Sequence, residues 1–301
     1  MTTDSYHEPV LAREVAQGLH IDNQARIIDA TVGTGGHSLE FLKMGARVLG
    51  IDADSVMLEI AEKRLKAACP APNAKVGCFF TLIHGNFREI DEIAQKEGFA
   101  QVNGIFFDLG TTSIQLMDSQ RGFSFSHPEA PLDVRINPAL QGLRGADLLN
   151  ALREDQLRLL FGKVLSHFES KKLAKAIILA RETKKFETVG DLLSVAKGLR
   201  TKPGLNPGTL PFLALRMAVN SELENLREAL PKALELLGKC GRLGVITFHS
   251  GEEKEVVGFM RRLSRERLGT FVTKSPIVPG EEEIKGNPRS RSAKLFIFEK
   301  T

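Results

Sequence analysis

The sequence has no tryptophan, one tyrosine and three cysteines among 301 residues. The cysteines (Cys69, Cys78 and Cys240) are odd in number and show no Cys-x-x-Cys spacing, which argues against both disulfides and a zinc site. The seven histidines also lack metal-ligand spacing, so we expect no bound metal. No apolar run approaches the roughly 20 residues that span a bilayer, and residues 1–10 lack the basic and apolar regions of a secretory signal. These absences predict a cytoplasmic protein with no membrane partner.

A glycine-rich turn follows the first predicted strand. The apolar run at 27–30 includes Asp29, three glycines follow within 33–36, and a helical pattern begins at 38. Glycine allows positive φ and close approach to a ligand, and a strand–turn–helix unit of this kind holds nucleotide-like cofactors in open α/β sheets. The next apolar run ends at Asp52, whose carboxylate can accept two hydrogen bonds from a ribose diol.

The chemistry of the turn favours S-adenosylmethionine over a dinucleotide. The dinucleotide fingerprint needs a third glycine and binds a pyrophosphate, but here His37 follows Gly36. Asp29 at the strand end would repel a pyrophosphate, whereas it suits the positively charged methionine end of the methyl donor. The glycines alone are also compatible with a turn that binds no ligand, but the two aspartates argue against that alternative.

The chain predicts an α/β fold with a mostly parallel, doubly wound sheet. Short apolar runs alternate with helical patterns, as in such sheets. The last two strands lack a clear helix between them and are expected to pair antiparallel at one edge. The predicted strands are 26–30, 47–52, 78–84, 104–109, 242–249, 271–274 and 293–299, and the intervening helices include 54–68, 88–98 and 221–237.

Helical patterns replace this alternation after the fourth strand, at 146–152, 155–161, 171–181 and 188–199. We therefore predict a methyltransferase-like core at 1–110 and 208–301, with a helical insertion at 111–207 over the carboxyl edge of the sheet. The insertion carries 15 Lys and Arg against 10 Asp and Glu, and 158–202 carries 11 against 4. Such an excess indicates nucleic-acid binding, with a solvated helical face as the alternative.

Further candidate residues follow the later strands. Asp108 ends the fourth strand, where a doubly wound sheet places ligand contacts. Phe123 and Phe125 surround a serine after an Arg-Gly turn and are able either to stack on a base or to anchor a loop in the core. His249 ends a later strand as a substrate-positioning or a structural group, and Arg289 and Arg291 are candidates for binding phosphates or for a charged loop.

Two absences narrow the chemistry. The Asp/Asn-Pro-Pro-aromatic motif of many amino-group methyltransferases is missing, and Asp108-Leu109-Gly110 stands in its place. The fourth and fifth predicted strands also lack the cysteine that a C5-pyrimidine methyltransferase uses as nucleophile, which argues against covalent catalysis.

Ordered motifs across nearly the whole length resemble the bacterial 16S ribosomal RNA cytosine-N4 methyltransferases (the MraW/RsmH family). Many long matches in one order are more specific than a single glycine motif. They are His7-Glu8-Pro9-Val10-Leu11, Ile28-Asp29-Ala30-Thr31 with residues 33–38, Ile51-Asp52-Ala53-Asp54, His84-Gly85-Asn86-Phe87, Asp108-Leu109-Gly110, Gln115-Leu116, residues 121–125, 131–135, 214–223, 248–250 and 287–293.

The resemblance implies a class I, Rossmann-like methyltransferase core with an inserted RNA-recognition domain. The implied reaction is N4-methylation of one cytidine near the decoding centre, in 16S RNA of the small subunit or of a late assembly intermediate. The residues that would hold S-adenosylmethionine are Gly35, Gly36, His37, Asp52, Phe87, Asp108 and Gln115. Only the resemblance supplies Phe87 and Gln115.

The sequence departs from the family pattern mainly on the substrate side. Thr111 and Thr112 replace Val and Ser, Met117 stands where an acid is usual, and Gly251 replaces a leucine. The usual Tyr-Gly-Glu-Glu in the insertion is here Phe168-Glu169-Ser170-Lys171.

Two other classes of function are compatible with the residues. One is a methyltransferase for a small molecule or a protein, in which the basic insertion is only a solvated face. The other is a non-catalytic ribosome-assembly factor that keeps a vestigial cofactor site. In the favoured hypothesis, Asp108 accepts a hydrogen bond from the cytidine amino group as positive charge develops, and Phe123 holds the unstacked base.

Overall fold

The computed structural model describes residues 8–69 and 78–301, so that His7 of the first motif lies outside the described residues. The chain forms two compact units. The core unit comprises 1–110 and 223–301, and the helical unit comprises 111–222.

The described residues form seven strands and thirteen α-helices. The strands are β1 (Arg26–Asp29), β2 (Arg47–Asp52), β3 (Phe79–His84), β4 (Val102–Asp108), β5 (Leu237–Thr247), β6 (Gly269–Phe271) and β7 (Lys294–Lys300). The helices are α1 (Ala12–Gly18), α2 (Gly36–Lys43), α3 (Ser55–Ala68), α4 (Ile90–Lys96), α5 (Ser113–Met117), α6 (Gly145–Ala151), α7 (Glu154–Gly162), α8 (His167–Thr183), α9 (Val189–Ala196), α10 (Thr209–Val219), α11 (Glu222–Leu236), α12 (Ser250–Arg265) and α13 (Glu281–Gly286).

The seven strands form one sheet in the order β3-β2-β1-β4-β5-β7-β6. Strands β1 to β5 are mutually parallel, and β7 pairs antiparallel with both β5 and β6. This topology confirms the predicted doubly wound, Rossmann-like fold with an antiparallel pair at one edge. The helix α13 and a 3-10 helix at Pro288–Ser292 separate the last two strands.

Successive side chains of a strand point to opposite faces of the sheet. Helices therefore pack on apolar side chains at both faces. In β4, Ile105 and Phe107 join the cluster that contains residues of α4, α11 and α12. Phe106 points to the opposite face and joins the cluster with residues of α1, α2 and α3. All three of these β4 side chains are fully buried.

The helical unit has its own apolar core. Leu149 of α6, Phe161 of α7, Ile177 of α8 and Leu192 of α9 are fully buried in it. Phe212 and Leu215 of α10 belong to the same cluster. The predicted boundary at 207 was therefore too early, because α10 packs with the insertion and the unit extends to Glu222.

The expectation that the cysteines do not pair was wrong for two of them. Cys69 and Cys78 form a disulfide with a Cα–Cα distance of 5.7 Å. The physical reason is topological: α3 returns to the sheet edge at which β3 begins, so the end of the helix meets the start of the strand. Cys240 is free and exposed.

Five helices lack a sequence prediction: α1, α5, α10, α12 and α13. The longest of them, α12, buries Val256, Phe259, Met260 and Leu263 at helical spacing. None of the helices in the described ranges is long and apolar enough to cross a membrane.

We expect replacement of Phe161 by Ala to lower the free energy of unfolding by roughly 3–5 kcal/mol, since the ring is fully buried and its removal leaves a cavity. Phe168→Ala is the matched control, because that ring is 66% exposed and surface changes usually stay within about 0.5 kcal/mol. Urea unfolding of the full chain measures both. Equal losses of stability for the two variants would contradict this account of the helical core.

Candidate functional site

Three parallel strands of the core unit end in an aspartate: β1 in Asp29, β2 in Asp52 and β4 in Asp108. Because β1 pairs with both β2 and β4 in parallel register, their ends lie at the same edge of the sheet. Ligands of open α/β sheets bind at this edge. The three carboxylates define the candidate site.

The glycine turn between β1 and α2 needs glycine at two positions. Gly33 has φ +53° and Gly35 has φ +78°, both in the left-handed region that side chains rarely adopt. The N–H of Gly33 donates to Asp52 Oδ2 at 2.7 Å, which ties the turn to the end of β2. Gly35 caps α2, and a Cβ at Gly36 would lie 3.1 Å from Pro9. The turn therefore places backbone that is not shielded by side chains at the edge of the sheet.

Asp52 is held by the backbone on both of its oxygens. Oδ1 accepts from the N–H of Asp54 at 2.8 Å, in addition to the Gly33 bond on Oδ2. Burial raises the pKa of Asp52 to about 6, although these hydrogen bonds oppose the shift. A ribose diol that reaches the carboxylate would have to use its remaining lone pairs.

Asp29 is buried beneath the turn, with 1% of its surface exposed. The hydroxyl of Ser38 donates to its Oδ2 at 2.6 Å. Burial raises the pKa of Asp29 to about 7, and the nearby Asp52 contributes to the increase. The side chain of Asp29 therefore secures the start of α2.

Asp108 has the least satisfied carboxylate of the three. Its N–H donates to Thr31 Oγ1 at 2.6 Å, which fixes the end of β4 beside β1. His37 Nδ1 lies 3.7 Å from Oδ2. The side chain is 26% exposed, but Oδ1 is buried and has no hydrogen-bond partner among residues 8–69 and 78–301. Burial raises the pKa of Asp108 to about 7, with further contributions from Asp29 and Glu252.

His37 is placed between the turn and β4. Its Nε2 lies 2.9 Å from the carbonyl oxygen of Val10, and its ring centroid lies 4.6 Å from that of Phe106. An N–H at Nε2 donating to this carbonyl leaves Nδ1 directed toward Asp108. The imidazole is buried, so the side chain positions its neighbours in the core unit.

Other predicted residues lie at the same edge of the core unit. Phe87 begins a 3-10 helix after β3, and its ring makes an edge contact with Phe107 at 5.6 Å. His249 caps α12, with Nδ1 accepting from the N–H groups of Gly251 and Glu252. Its Nε2 lies 3.1 Å from Glu252 Oε1. This geometry supports a structural role at the start of α12.

Arg289 and Arg291 lie in the 3-10 helix before β7. Since the start of β7 pairs with the end of β5, with Lys294 opposite Thr247, they belong to the site edge as well. Both side chains are exposed, and neither forms a hydrogen bond or ion pair within the described ranges. They remain available to an anion.

Three predicted residues lie in the helical unit. Gln115 is buried in α5, where its Oε1 accepts from the N–H of Thr112 at 2.9 Å and completes a capping box. Phe123 is 7% exposed within the core of the unit, which favours the structural alternative over base stacking. Phe125 is half-buried, and its ring centroid lies 6.0 Å from that of Phe212.

Three residues that support the aspartates were not predicted to act in the site. Thr31 accepts from Asp108, and Ser38 donates to Asp29. Glu252 is 3% exposed and accepts from the N–H of Phe248 at 2.8 Å. The first two stand within the glycine motif, but their partners depend on the sheet register. The capping role of Glu252 is visible only once α12 is known.

The site suits a positively charged ligand. None of the three aspartates pairs with Lys or Arg in the part of the chain that the structure describes. Burial raises all three pKa values, and neighbouring carboxylates add to each increase. A nearby cation opposes both effects, because it favours the charged form of the carboxyl. The unpartnered Oδ1 of Asp108 also requires a hydrogen-bond donor. A sulfonium or ammonium group therefore fits, and a pyrophosphate does not.

The profile of the MraW methylase family matches residues 4–301. A ribosomal RNA small subunit methyltransferase H from Deinococcus radiodurans is 40% identical over 98% of this chain and 89% of its own. The protein of that name from Dictyoglomus thermophilum is 38% identical over 99% of this chain and 97% of its own. A solved rRNA methylase from Streptococcus thermophilus is 13% identical with a TM-score of 0.46, covering 95% and 94% of the chains; this likeness is too distant to carry an argument.

The match to a methylase family bears on the choice of cofactor. A methylase requires a methyl donor, so the match confirms the prediction of S-adenosylmethionine over a dinucleotide. The carboxylate site described above is compatible with the positive charges of that donor.

The raised pKa values predict how the stability of the ligand-free protein depends on pH. Folding raises the pKa of Asp108 from 3.8 to about 7, so the folded state binds more protons than the unfolded state in that range. The contribution to stability is complete below pH 3.8 and is lost as the pH rises through about 7. We expect Asp108→Asn to flatten the decrease in unfolding free energy between pH 5.5 and 8 (urea midpoints at each pH).

Asp155→Asn is the control for that experiment. Asp155 is exposed and its pKa is lowered by Arg153, so its titration lies below the measured range. This variant should follow the wild-type slope. If Asp108→Asn also followed the wild-type slope, the account of a destabilising buried carboxylate would be wrong.

Proposed function

Because the chain belongs to the MraW methylase family, we propose that it methylates small-subunit ribosomal RNA with S-adenosylmethionine as the donor. The finer proposal is methylation of N4 of one cytidine near the decoding centre of 16S RNA. The names of the relatives support the substrate class. The nucleotide and the atom rest on the resemblance of the motifs and on the chemistry of the site.

The observation that carries the reaction is the Oδ1 atom of Asp108, which is buried and without a hydrogen-bond partner in the described parts of the chain. A buried acceptor with no donor costs free energy, so the site is prepared for an N–H group that a ligand brings. An exocyclic amino group is such a donor. Asp108 therefore serves in our proposal as the acceptor for the N4 amino group of the substrate.

Cytosine N4 is a weak nucleophile, since its lone pair is delocalised into the ring. S-adenosylmethionine supplies an electrophilic methyl group on a sulfonium. The enzyme must align N4 with that methyl group, which lowers the barrier through orientation. As positive charge develops on N4, the Asp108 carboxylate stabilises it and accepts a proton; burial, which raises the pKa of this carboxyl, strengthens it as a base.

We assign the donor to the residues that the glycine turn and the strand ends bring together in the core unit. The backbone at Gly35, Gly36 and His37 offers close approach, Asp52 meets the ribose, and Phe87 borders the site. Asp108 contacts the charged end of the donor as well as the substrate amino group. Gln115 of the helical unit completes the set on the strength of the resemblance alone.

The RNA side of the proposal rests on charge. The predicted insertion, 111–207, carries five more basic than acidic residues, and Arg289 and Arg291, near the site, have no ion pair with any residue that the structure describes. Phosphate contacts of this kind give affinity that depends on salt. Phe125 remains a candidate for contact with a base, and His249 for positioning the substrate. The protein would act in the cytoplasm on the small subunit or on a late assembly intermediate.

The decisive experiment is transfer of a labelled methyl group from S-adenosylmethionine to unmodified small ribosomal subunits, followed by nucleoside mass spectrometry. We expect N4-methylcytidine. Label in a different nucleoside would overturn the N4 assignment. No label in RNA, with donor binding intact, would favour a small-molecule or protein substrate, and no turnover on any substrate would favour an assembly factor.

The same assay tests Asp108. We expect Asp108→Asn to lower the rate of methyl transfer by roughly 10²–10⁴-fold, since the amide is a poorer acceptor and no base. Asp22→Asn makes the same change on an exposed loop of the core unit and should retain wild-type activity. Comparable rates for the two variants would remove Asp108 from the reaction.

A further inference from the structure

One exposed face of α8 has a composition that the methyltransferase core does not explain. Five exposed residues of this helix each lie three or four positions from another member of the set: Phe168, Lys171, Lys172, Lys175 and Leu179. Residues at these spacings share one side of a helix. We call these five residues the α8 outer face. The opposite side of the helix packs Leu173, Ala174 and Ile177 into the helical core.

The lysines of the α8 outer face are not neutralised by the protein. Lys171 and Lys175 form no hydrogen bond or ion pair within the described parts of the chain, whereas Lys172 donates to the carbonyl of Gly198. The nearest carboxylate in sequence, Glu169, is turned inward: it is 7% exposed and accepts from the N–H of Arg200 at 3.0 Å. Lys171 and Lys175 therefore carry positive charge that no carboxylate of the described residues pairs with.

The aromatic ring at the start of the face is also unusual. Phe168 is 66% exposed, although a phenylalanine gains free energy from burial. Its neighbour Lys171 lies one turn further along the same side, and Lys175 follows about 6 Å beyond Lys171 along the helix axis. An exposed ring followed by unpaired cations is the arrangement by which proteins stack a base and track the backbone of a single strand.

We propose that the α8 outer face binds an unpaired segment of the substrate RNA, with a base stacked on Phe168 and phosphates against Lys171 and Lys175. The proposal rests on the proposed function and specifies where the helical unit contacts RNA. Charge complementarity favours RNA as the occupant. Lysine is depleted at protein–protein interfaces, so three lysines beside one ring do not suit a protein partner.

The charge component is tested by the salt dependence of binding to protein-free, unmodified 16S RNA. Removing one lysine that binds a phosphate makes the slope of log affinity against log salt shallower by about 0.7–0.9. We expect the double variant Lys171→Gln/Lys175→Gln to make it shallower by about 1.5 in total. Lys63→Gln/Lys96→Gln removes the same charge from exposed positions of the core unit, and it should retain nearly the wild-type slope.

The stacking component is tested by three substitutions at one position. Phe168→Tyr keeps an aromatic face and should bind RNA as the wild type does. Phe168→Leu keeps apolar volume without that face, and Phe168→Ala keeps neither. We expect both to weaken binding by roughly five- to hundredfold. Thermal unfolding of each variant establishes that the fold is unchanged.

The outcomes separate this proposal from the proposed function. If the wild type methylates small subunits while the face variants bind RNA unchanged, the face assignment is wrong and the function stands. If the control pair weakens binding as much as the Lys171/Lys175 pair, only bulk charge matters and the face assignment fails. If the variants weaken binding to intact subunits but not to protein-free RNA, the occupant is a ribosomal protein and the RNA proposal is overturned. If the wild type neither binds nor methylates RNA, both proposals fall.

Discussion

Five neighbouring strands of the core unit run parallel to one another and stop at the same edge, and three of them stop in an aspartate. Parallel pairing fixes this convergence, since it brings carboxyl ends together irrespective of the side chains there. Placing three acids on those ends concentrates negative charge where apolar strands exclude water. The cost is visible in the raised pKa values of Asp29, Asp52 and Asp108. The rest of the site, from the left-handed glycines to Ser38 and Thr31, holds these acids in place.

The two units differ in the sign of their characteristic charges. The core unit collects buried acids at a sheet edge, where they suit a cationic donor. The helical unit carries basic groups on its surface, where water screens them and a polyanion can displace it. Burial thus distinguishes the two sets of charges: the acids of the core unit are few and desolvated, whereas the lysines of the helical unit are many and solvated.

Much of the core unit was predictable, because its strands are short apolar runs and three of them end in an aspartate. Asp52, Asp108 and the turn at 33–36 could be located from sequence alone. The helix α12 was missed since its N-cap is His249, which is not among the usual capping residues. The helix α10 follows a segment rich in helix-breaking proline and glycine and has Pro211 in its first turn, so its start was obscured.

Sequence spacing also gave no sign that Cys69 and Cys78 meet, since that contact depends on the path of α3. Phe123 shows what the sequence alone does not distinguish. An aromatic residue after a turn has the same sequence pattern whether it stacks on a base or packs in a core.

The insertion of the helical unit between β4 and β5 has a consequence for how the chain folds. These adjacent strands pair directly, yet the whole helical unit separates them in sequence. Closing a flexible loop of about 130 residues costs entropy that rises with the logarithm of its length, roughly 4 kcal/mol above a constant. The helical unit has a core of its own, and its helices are joined by local contacts that form quickly. If the helical unit folds first, the connection between β4 and β5 no longer behaves as a long flexible loop, and closing it costs less entropy. The sheet would then close last across β4 and β5, and the order of assembly would follow from where the insertion enters the sheet.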